Sequence, residues 1–346
     1  MFSIVIVNYD GMKYLPQCLQ AIRRQIYEGG YEIIVVNNRS SDGSVEYLRQ
    51  QADVNLIDPD TNTGFSRGQN LGILAAKGRY VLCLNFDCLL EPDFLKHVAA
   101  VFESRPQVAS VSGKLRKLVK GERTEHLDST GIAFHHYMPC DRGEWRVDGP
   151  AWSAPGPIFG PSGAAACYRK EALEKVRFQD EYFDEDFFIY CEDIDLAWRL
   201  NLAQCEGWYE PRALAYHERG STRKEDAWER RRYFVLGFRN RLLAMYKNLR
   251  WRQDVRPDFW GIVLRELKFS LGRCKGGIKA TLIMMMAMLG FLRMVLFCKR
   301  LRLKRRAIQQ NRSPHPLHLG LHLPSGAAEA DLSLGGPANP GGRDAF

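Results

Sequence analysis

Six carboxylates, Asp184, Glu185, Asp186, Glu192, Asp193 and Asp195, fall within the span Phe183 to Leu200, FDEDFFIYCEDIDLAWRL. Like charges this close repel, and burying them unpaired costs roughly several kcal/mol each. Acid concentrated beside so much aromatic surface therefore points to a site that binds or activates something. An acidic first turn that complements a helix dipole would account for Glu192 and Asp193 equally well, and the segment alone does not choose. Two other features bear on the choice: a second acidic motif, Asn85-Phe86-Asp87, at the end of an apolar run, and a histidine, His217, at the end of another.

These groups need elements to hold them, and the apolar periodicity supplies an order. Residues 2–8 (FSIVIVN) and 32–38 (EIIVVNN) are short, β-branched and apolar on both faces, as strands of a buried parallel sheet are. Between them Leu15, Cys18, Leu19, Ile22 and Ile26 recur at helical spacing, which makes a βαβ unit. The alternation continues with a helix over residues 44–51, a strand over 54–58, a helix over 68–76 after NTGFSRG and a strand over 80–85. It runs out near residue 100. Residues 108–119 again read as strand, and the loop that follows to Pro157 has no assignable period. The small residues of GPSGAAACY, 160–168, let a backbone or a ligand approach closely. A short helix over 170–176 and a strand over 207–217 ending in His217 complete the pattern.

The 346 residues, 45% apolar and 26% charged, leave room for one large core or two smaller ones. Formal charge is −8 over residues 1–218, +18 over 219–306 and −1 over the remainder, so the acidic front and basic back have different tasks, the back suited to phosphate-rich material. Nine scattered cysteines without a CxxC pair argue for reduced thiols and against zinc. The opening MFSIVIVNYDG lacks the basic lead and long apolar run of a signal peptide, so a cytoplasmic protein is expected. Thr281 to Leu292 is twelve residues without a charge between cationic flanks, short of the roughly 20 needed to cross a bilayer. It is expected to lie in a membrane interface, on the inner face of the plasma membrane, rather than in a core. The Met-rich apolar run inside the basic half favours lipid over nucleic acid as partner. Three regions are predicted: an α/β domain over 1–222, a basic amphipathic helical region over 223–310 and a disordered tail over 311–346.

With the pieces in this order, SIVIVNYDG, IIVVNNRSSDGS, NTGFSRGQNLGI, LCLNFDCLLEPDFL, FDEDFFIYCEDIDLAWRL and AYHERGST together resemble family 2 of the glycosyltransferases, inverting enzymes of GT-A fold, and within it the rhamnosyltransferase-like group. The resemblance covers about residues 2–250. It implies a Rossmann-like mixed sheet that binds a nucleotide-diphospho-sugar. The product would be a glycan on a lipid-linked or polysaccharide acceptor, with L-rhamnose from a dTDP donor as the expected sugar. Galactofuranose or N-acetylglucosamine transfer, and a catalytically silent nucleotide-sugar-binding scaffold, stand as alternatives.

The resemblance also implies residue roles. Val7, Asn8, Asn37, Asn38, Asp42, Asn62, Gly64, Asn85 and Gly163 fall in the nucleotide-sugar-binding stretches. The family usually carries Asp at the position of Asn37, where it reads the base N3 proton; an Asn oxygen can accept that proton too. An Asx turn around Asp42 and Gly43 is the plainer account of that loop. NFD stands where the family has its DxD-like motif, which makes Asp87, with His217, the expected ligand of Mg2+ or Mn2+, a hard ion that neutralises the leaving diphosphate. Glu192 and Asp193 match the family's paired acidic motif, with Asp193 as general base on the acceptor hydroxyl. Asp195 and Arg199 are expected to brace the helix, and everything beyond about Arg250 to be dispensable for nucleotide binding.

Overall fold

A computed structural model describes residues 1–135, 138–219, 227–250 and 278–313. The predicted tail beyond residue 313 and the basic stretch 251–277 lie outside the described residues.

The strands are β1 (Phe2–Asn8), β2 (Tyr31–Asn37), β3 (Val54–Ile57), β4 (Tyr80–Leu84), β5 (Cys88–Leu90), β6 (Val108–Val119), β7 (Glu122–Ser129), β8 (Ile132–His135), β9 (Met138–Asp141), β10 (Gly156–Ile158), β11 (Ala165–Arg169) and β12 (Glu206–His217). The helices are α1 (Leu15–Arg23), α2 (Ser44–Arg49), α3 (Gly64–Ala75), α4 (Phe94–Ser104), α5 (Lys170–Val176), α6 (Glu192–Leu202), α7 (Ala227–Asn248), α8 (Ile278–Phe297) and α9 (Lys299–Gln310). Ten strands form one mixed sheet whose main path is β10-β12-β6-β11-β4-β1-β2-β3. β1 pairs in parallel with β2 and β4, and β2 with β3, the arrangement that the β-branched runs dictated. β11 is antiparallel to both β4 and β6. Helix α4 was not anticipated from the sequence: Phe94, Leu95, Val98, Val101 and Phe102 bury one face of it under the far half of the sheet. Helix α3 starts four residues before its predicted position, at Gly64, whose φ of +83° suits glycine.

Strand order reverses about β1, with β4 on one side and β2 on the other, and ligands of such sheets bind outside the carboxyl ends of the strands there. Asn8, Asn37 and Asn85 stand at those ends. Gly68 lets α3 lie directly on Val7, where an added Cβ would come within 2.8 Å of the valine.

The basic C-terminal helices do not hang free. Lys247 of α7 pairs with Asp184 and lies 2.9 Å from Asp195. Lys304 of α9 lies 2.8 Å from Glu181, 2.6 Å from Asp184 and 2.9 Å from Asp186, and both lysines are buried. Burial alone would raise the Asp184 carboxyl; Lys247 and Lys304 hold it well below the carboxylate range instead. These ion pairs give the part past Arg250 a share in the stability of the α/β domain, whatever its part in nucleotide binding. Removing α9 strips buried carboxylates of a counter-ion, a change of the kind that costs about 3–5 kcal/mol.

Candidate active site

The crevice is built first from amides. Asn8 donates to the Asn37 oxygen at 3.3 Å and to the hydroxyls of Ser40 and Ser44 at 3.0 and 2.8 Å. Asn37 donates to Asp58 at 2.7 Å. Asn38 accepts from the Thr63 backbone at 2.7 Å, tying the β2 loop to the NTG turn, within which Asn62 accepts from Gly64 N–H at 2.9 Å. Asp42 accepts from Met12 N–H at 2.7 Å and from the Ser44 hydroxyl at 2.6 Å, which is the Asx-type bracing that the sequence offered as its plainer account. These side chains are used in holding the loops that frame the crevice. Val7 is buried against Gly68 of α3. Sequence reasoning passed over Asp58, a partly exposed carboxylate at the β3 end that also meets Arg49 at 3.1 Å.

Asp87 and His217 are brought together although 130 positions separate them. β5 pairs with the end of β12, setting Cys88 opposite His217, and the His217 Nε2 lies 3.3 Å from Asp87. Its Nδ1 lies 2.8 Å from Asp128, a fully buried carboxylate that also receives Lys117 at 3.1 Å and Arg219 at 2.9 Å. Burial would lower the His217 pKa; Asp87 and Asp128 outweigh it and push it up to about 10. Among the described residues no group of three or more His, Cys, Asp or Glu could hold a metal ion. A carboxylate and an imidazole nitrogen presented side by side still fit a divalent ion whose remaining ligands are diphosphate oxygens and water. Asp128 would then fix the imidazole tautomer that leaves Nε2 for the ion.

The acidic pair is linked to this centre through backbone. Asn85 N–H donates to Ala164 at 2.9 Å, and the neighbouring Gly163 N–H donates to the Asp193 carboxylate at 2.9 Å. The other Asp193 oxygen accepts from Ile194 N–H at 2.8 Å. A side chain at Gly163 would press on that carboxylate at 3.1 Å. Burial raises the Asp193 pKa, only partly offset by these hydrogen bonds, which suits a group that must accept a proton. Asp195 points away from the crevice, at 2.9 Å from Arg199 and 2.8 Å from Asn248, so it braces the helix as expected. The six-carboxylate cluster is therefore not one site. Asp184, Asp186 and Asp195 are neutralised from α7 and α9, Glu185 meets Arg67 and Asn70, and Asp193 meets Gly163 with Glu192 buried next to it.

Glu192 is buried, its Oε2 has no hydrogen-bond partner, and burial followed by the Asp193 charge pushes its pKa up to about 8 from 4.5. The folded state then holds a proton that the unfolded chain releases near pH 4.5. This contribution is complete below that pH, declines as pH rises toward about 8, and levels off above. Glu192→Gln is expected to match the wild type in stability near pH 4.5, to gain on it toward about pH 8 by up to about 1.4 kcal/mol per pH unit, and to hold that lead to pH 9. Parallel thermal melts across that range check it; melting curves that stay parallel would show Glu192 ionising freely.

A mixed sheet whose strand order reverses about β1, with a carboxylate–imidazole pair and an acidic helix start near its carboxyl ends, is the arrangement of a GT-A fold. The model of glycosyl transferase family 2 matches residues 3–177, half of the chain, and the protein belongs to that family. It is 29% identical over 217 residues to the poly-beta-1,6-N-acetyl-D-glucosamine synthase of Staphylococcus epidermidis, covering 62% of this chain and 49% of that protein; the chain thus spans about half the length of the curated relatives it matches. Staphylococcus aureus TarS 1-349 in complex with UDP-GlcNAc superposes with a TM-score of 0.54 at 17% identity, over 90% of this chain and 86% of that one. A Pyrobaculum calidifontis mannosyltransferase in complex with GDP-Man and Mn2+ gives 0.51 at 16%, over 90% and 84%.

Proposed function

We propose that this enzyme transfers one hexosyl unit to a hydroxyl of a lipid-linked or polysaccharide acceptor, with Asp193 as general base. What carries the reading is the short backbone path from Asp193 through Gly163 and Ala164 to Asn85, which sets a base beside the crevice that also holds Asp87 and His217. The acceptor oxygen attacks the anomeric carbon, its proton passes to the Asp193 carboxylate, and the bond to the diphosphate breaks with its electron pair leaving on the nucleoside diphosphate. A divalent ion, Mg2+ or Mn2+, held by Asp87 and His217 would neutralise the charge that develops there.

The relatives named as poly-beta-1,6-N-acetyl-D-glucosamine synthases support N-acetylglucosamine as the sugar. The NFD motif, with Asn85 in place of a first Asp, supports L-rhamnose from dTDP, as in the group the sequence resembles. Donor hydrolysis against UDP-GlcNAc, dTDP-rhamnose and UDP-galactofuranose decides between them; turnover of none of these would overturn the reading.

The membrane reading rests on the faces of α8. Ala287, Gly290, Phe291 and Met294 turn inward, with Phe291 edge-on to Tyr246 at 6.1 Å and Gly290 beside Arg239. Met285, Leu289, Leu292 and Leu296, at helical spacing on the other side, are exposed. No single described helix is long and apolar enough to cross a membrane, and α8 and α9 meet at 78°, with Lys299, Arg302 and Arg306 exposed on α9. An apolar ridge next to exposed cations suits the interface of an anionic bilayer, on the cytoplasmic side in this reading. Leu289→Glu with Leu292→Glu is expected to abolish flotation with vesicles containing phosphatidylglycerol while nucleotide binding persists. Equal flotation of the variant and the wild type would return α8 to a purely packing role.

A further inference from the structure

The backbone that leads into Glu192 and Asp193 is unusual. Phe188, Tyr190 and Cys191 all have positive φ, of 66°, 71° and 68°, which side chains with a Cβ rarely adopt; Cys191 is left-handed helical, and Phe188, at ψ −59°, centres a tight turn in which Ile189 N–H donates to the Phe187 carbonyl at 2.8 Å. Three such residues among four cannot hold themselves; something outside must fix them.

Two elements do so. The first turn of α3 donates Phe65 and Ser66 N–H to the Phe188 carbonyl at 2.7 and 3.2 Å. From the opposite side α7 presents Asn240, fully buried, whose amide nitrogen reaches the carbonyls of Phe187, Ile189 and Tyr190 at 2.9, 2.8 and 2.9 Å. The orientation of this amide is settled by its neighbour. Arg239 donates to the Asn240 oxygen from Nε at 3.0 Å and from its terminal nitrogen at 2.7 Å, so the oxygen accepts and the nitrogen must face the loop. Two helical turns on, the same side of α7 places Lys247 against Asp184 and Asp195, and Asn248 against Asp195. The segment is thereby gripped before, along and after its positive-φ run. Cys191 is the residue that opens α6, so any relaxation of the run turns that helix start and moves the Asp193 carboxylate relative to Gly163.

We infer that Asn240 is a positioning residue for transfer: it holds the positive-φ run from Phe188 to Cys191 so that Asp193 meets the acceptor hydroxyl. This rests on Asp193 as base, and α7 lies beyond the family-matched residues 3–177. Asn240 itself is fully buried behind the loop and acts through it.

The test uses the full-length enzyme with the donor found active in the panel. Asn240→Asp keeps the side-chain size but replaces the donating amide by an acceptor. It is expected to lower kcat 10-fold or more while donor KM, and the affinity and stoichiometry of nucleoside diphosphate binding with Mn2+, stay within twofold. A merely structural role would lower binding stoichiometry in step with rate. Adding Cys191→Gly, which makes the left-handed conformation intrinsic at one position, is expected to restore at least threefold. Unchanged kcat per bound nucleotide in Asn240→Asp, or a loss on which Cys191→Gly has no effect, overturns the inference. Asp193→Asn measured alongside keeps the two readings apart: full activity there rejects the base, whereas the Asn240 results judge the grip.

Discussion

Asp193→Asn is expected to reduce transfer by about 10²- to 10⁴-fold, the usual worth of a positioned general base, with nucleotide and divalent-ion binding unchanged. The substitution deletes the proton acceptor and keeps the shape. One amide oxygen can still accept from Gly163 N–H, so the close approach of Gly163 to the helix start survives. Gly163, Ala164 and Asn85 link it to the donor side, and the Asn85–Ala164 contact is backbone to backbone. Steady-state transfer set beside calorimetric nucleotide binding checks the prediction. If transfer continues at the wild-type rate, another group takes the proton. Asp195 is excluded from that part, being fully buried and committed to Arg199, Lys247 and Asn248; Glu192 would be left.

Much of the front half was legible because its strands announce themselves. FSIVIVN and EIIVVNN are buried on both faces, and a parallel sheet with crossover helices is the arrangement such runs support. Once the strand ends were known, the positions of Asn8, Asn37 and Asp87 followed. Helix α4 was missed because its apolar face begins directly after the NFD turn and β5, where the alternation had already lost its period. The acidic span misled for a different reason. Its carboxylates looked uncompensated, yet their cations, Lys247 and Lys304, stand 63 and 120 residues downstream of Asp184, a separation no local pattern reveals. The positive-φ run at Phe188 to Cys191 was equally invisible, since none of its residues is a glycine and the group that holds it, Asn240, lies in a helix whose apolar pattern is weak.

Asp87→Ala is expected to abolish divalent-dependent nucleotide binding and to lower transfer by at least about 10³-fold. An ion at a leaving diphosphate supplies several kcal/mol of charge stabilisation, and about 1.4 kcal/mol is worth a factor of ten in rate. The fold should tolerate the change, because Asp87 is tied to the rest of the site by its backbone as well: its carbonyl accepts from Glu218 N–H at 3.1 Å, a contact alanine keeps. His217 would retain Asp128 at 2.8 Å but lose the carboxylate that completes the pair, so imidazole alone would face the ion. Chelation tests the same point without mutation. Excess EDTA should silence the wild type and Mn2+ or Mg2+ should restore it, whereas Asp87→Ala should remain silent at any concentration of the ion that the wild type tolerates. Wild-type turnover undiminished in chelator would remove the ion from Asp87 and His217 together, and the pair would then be a buried ion pair that fastens β5 to the end of β12.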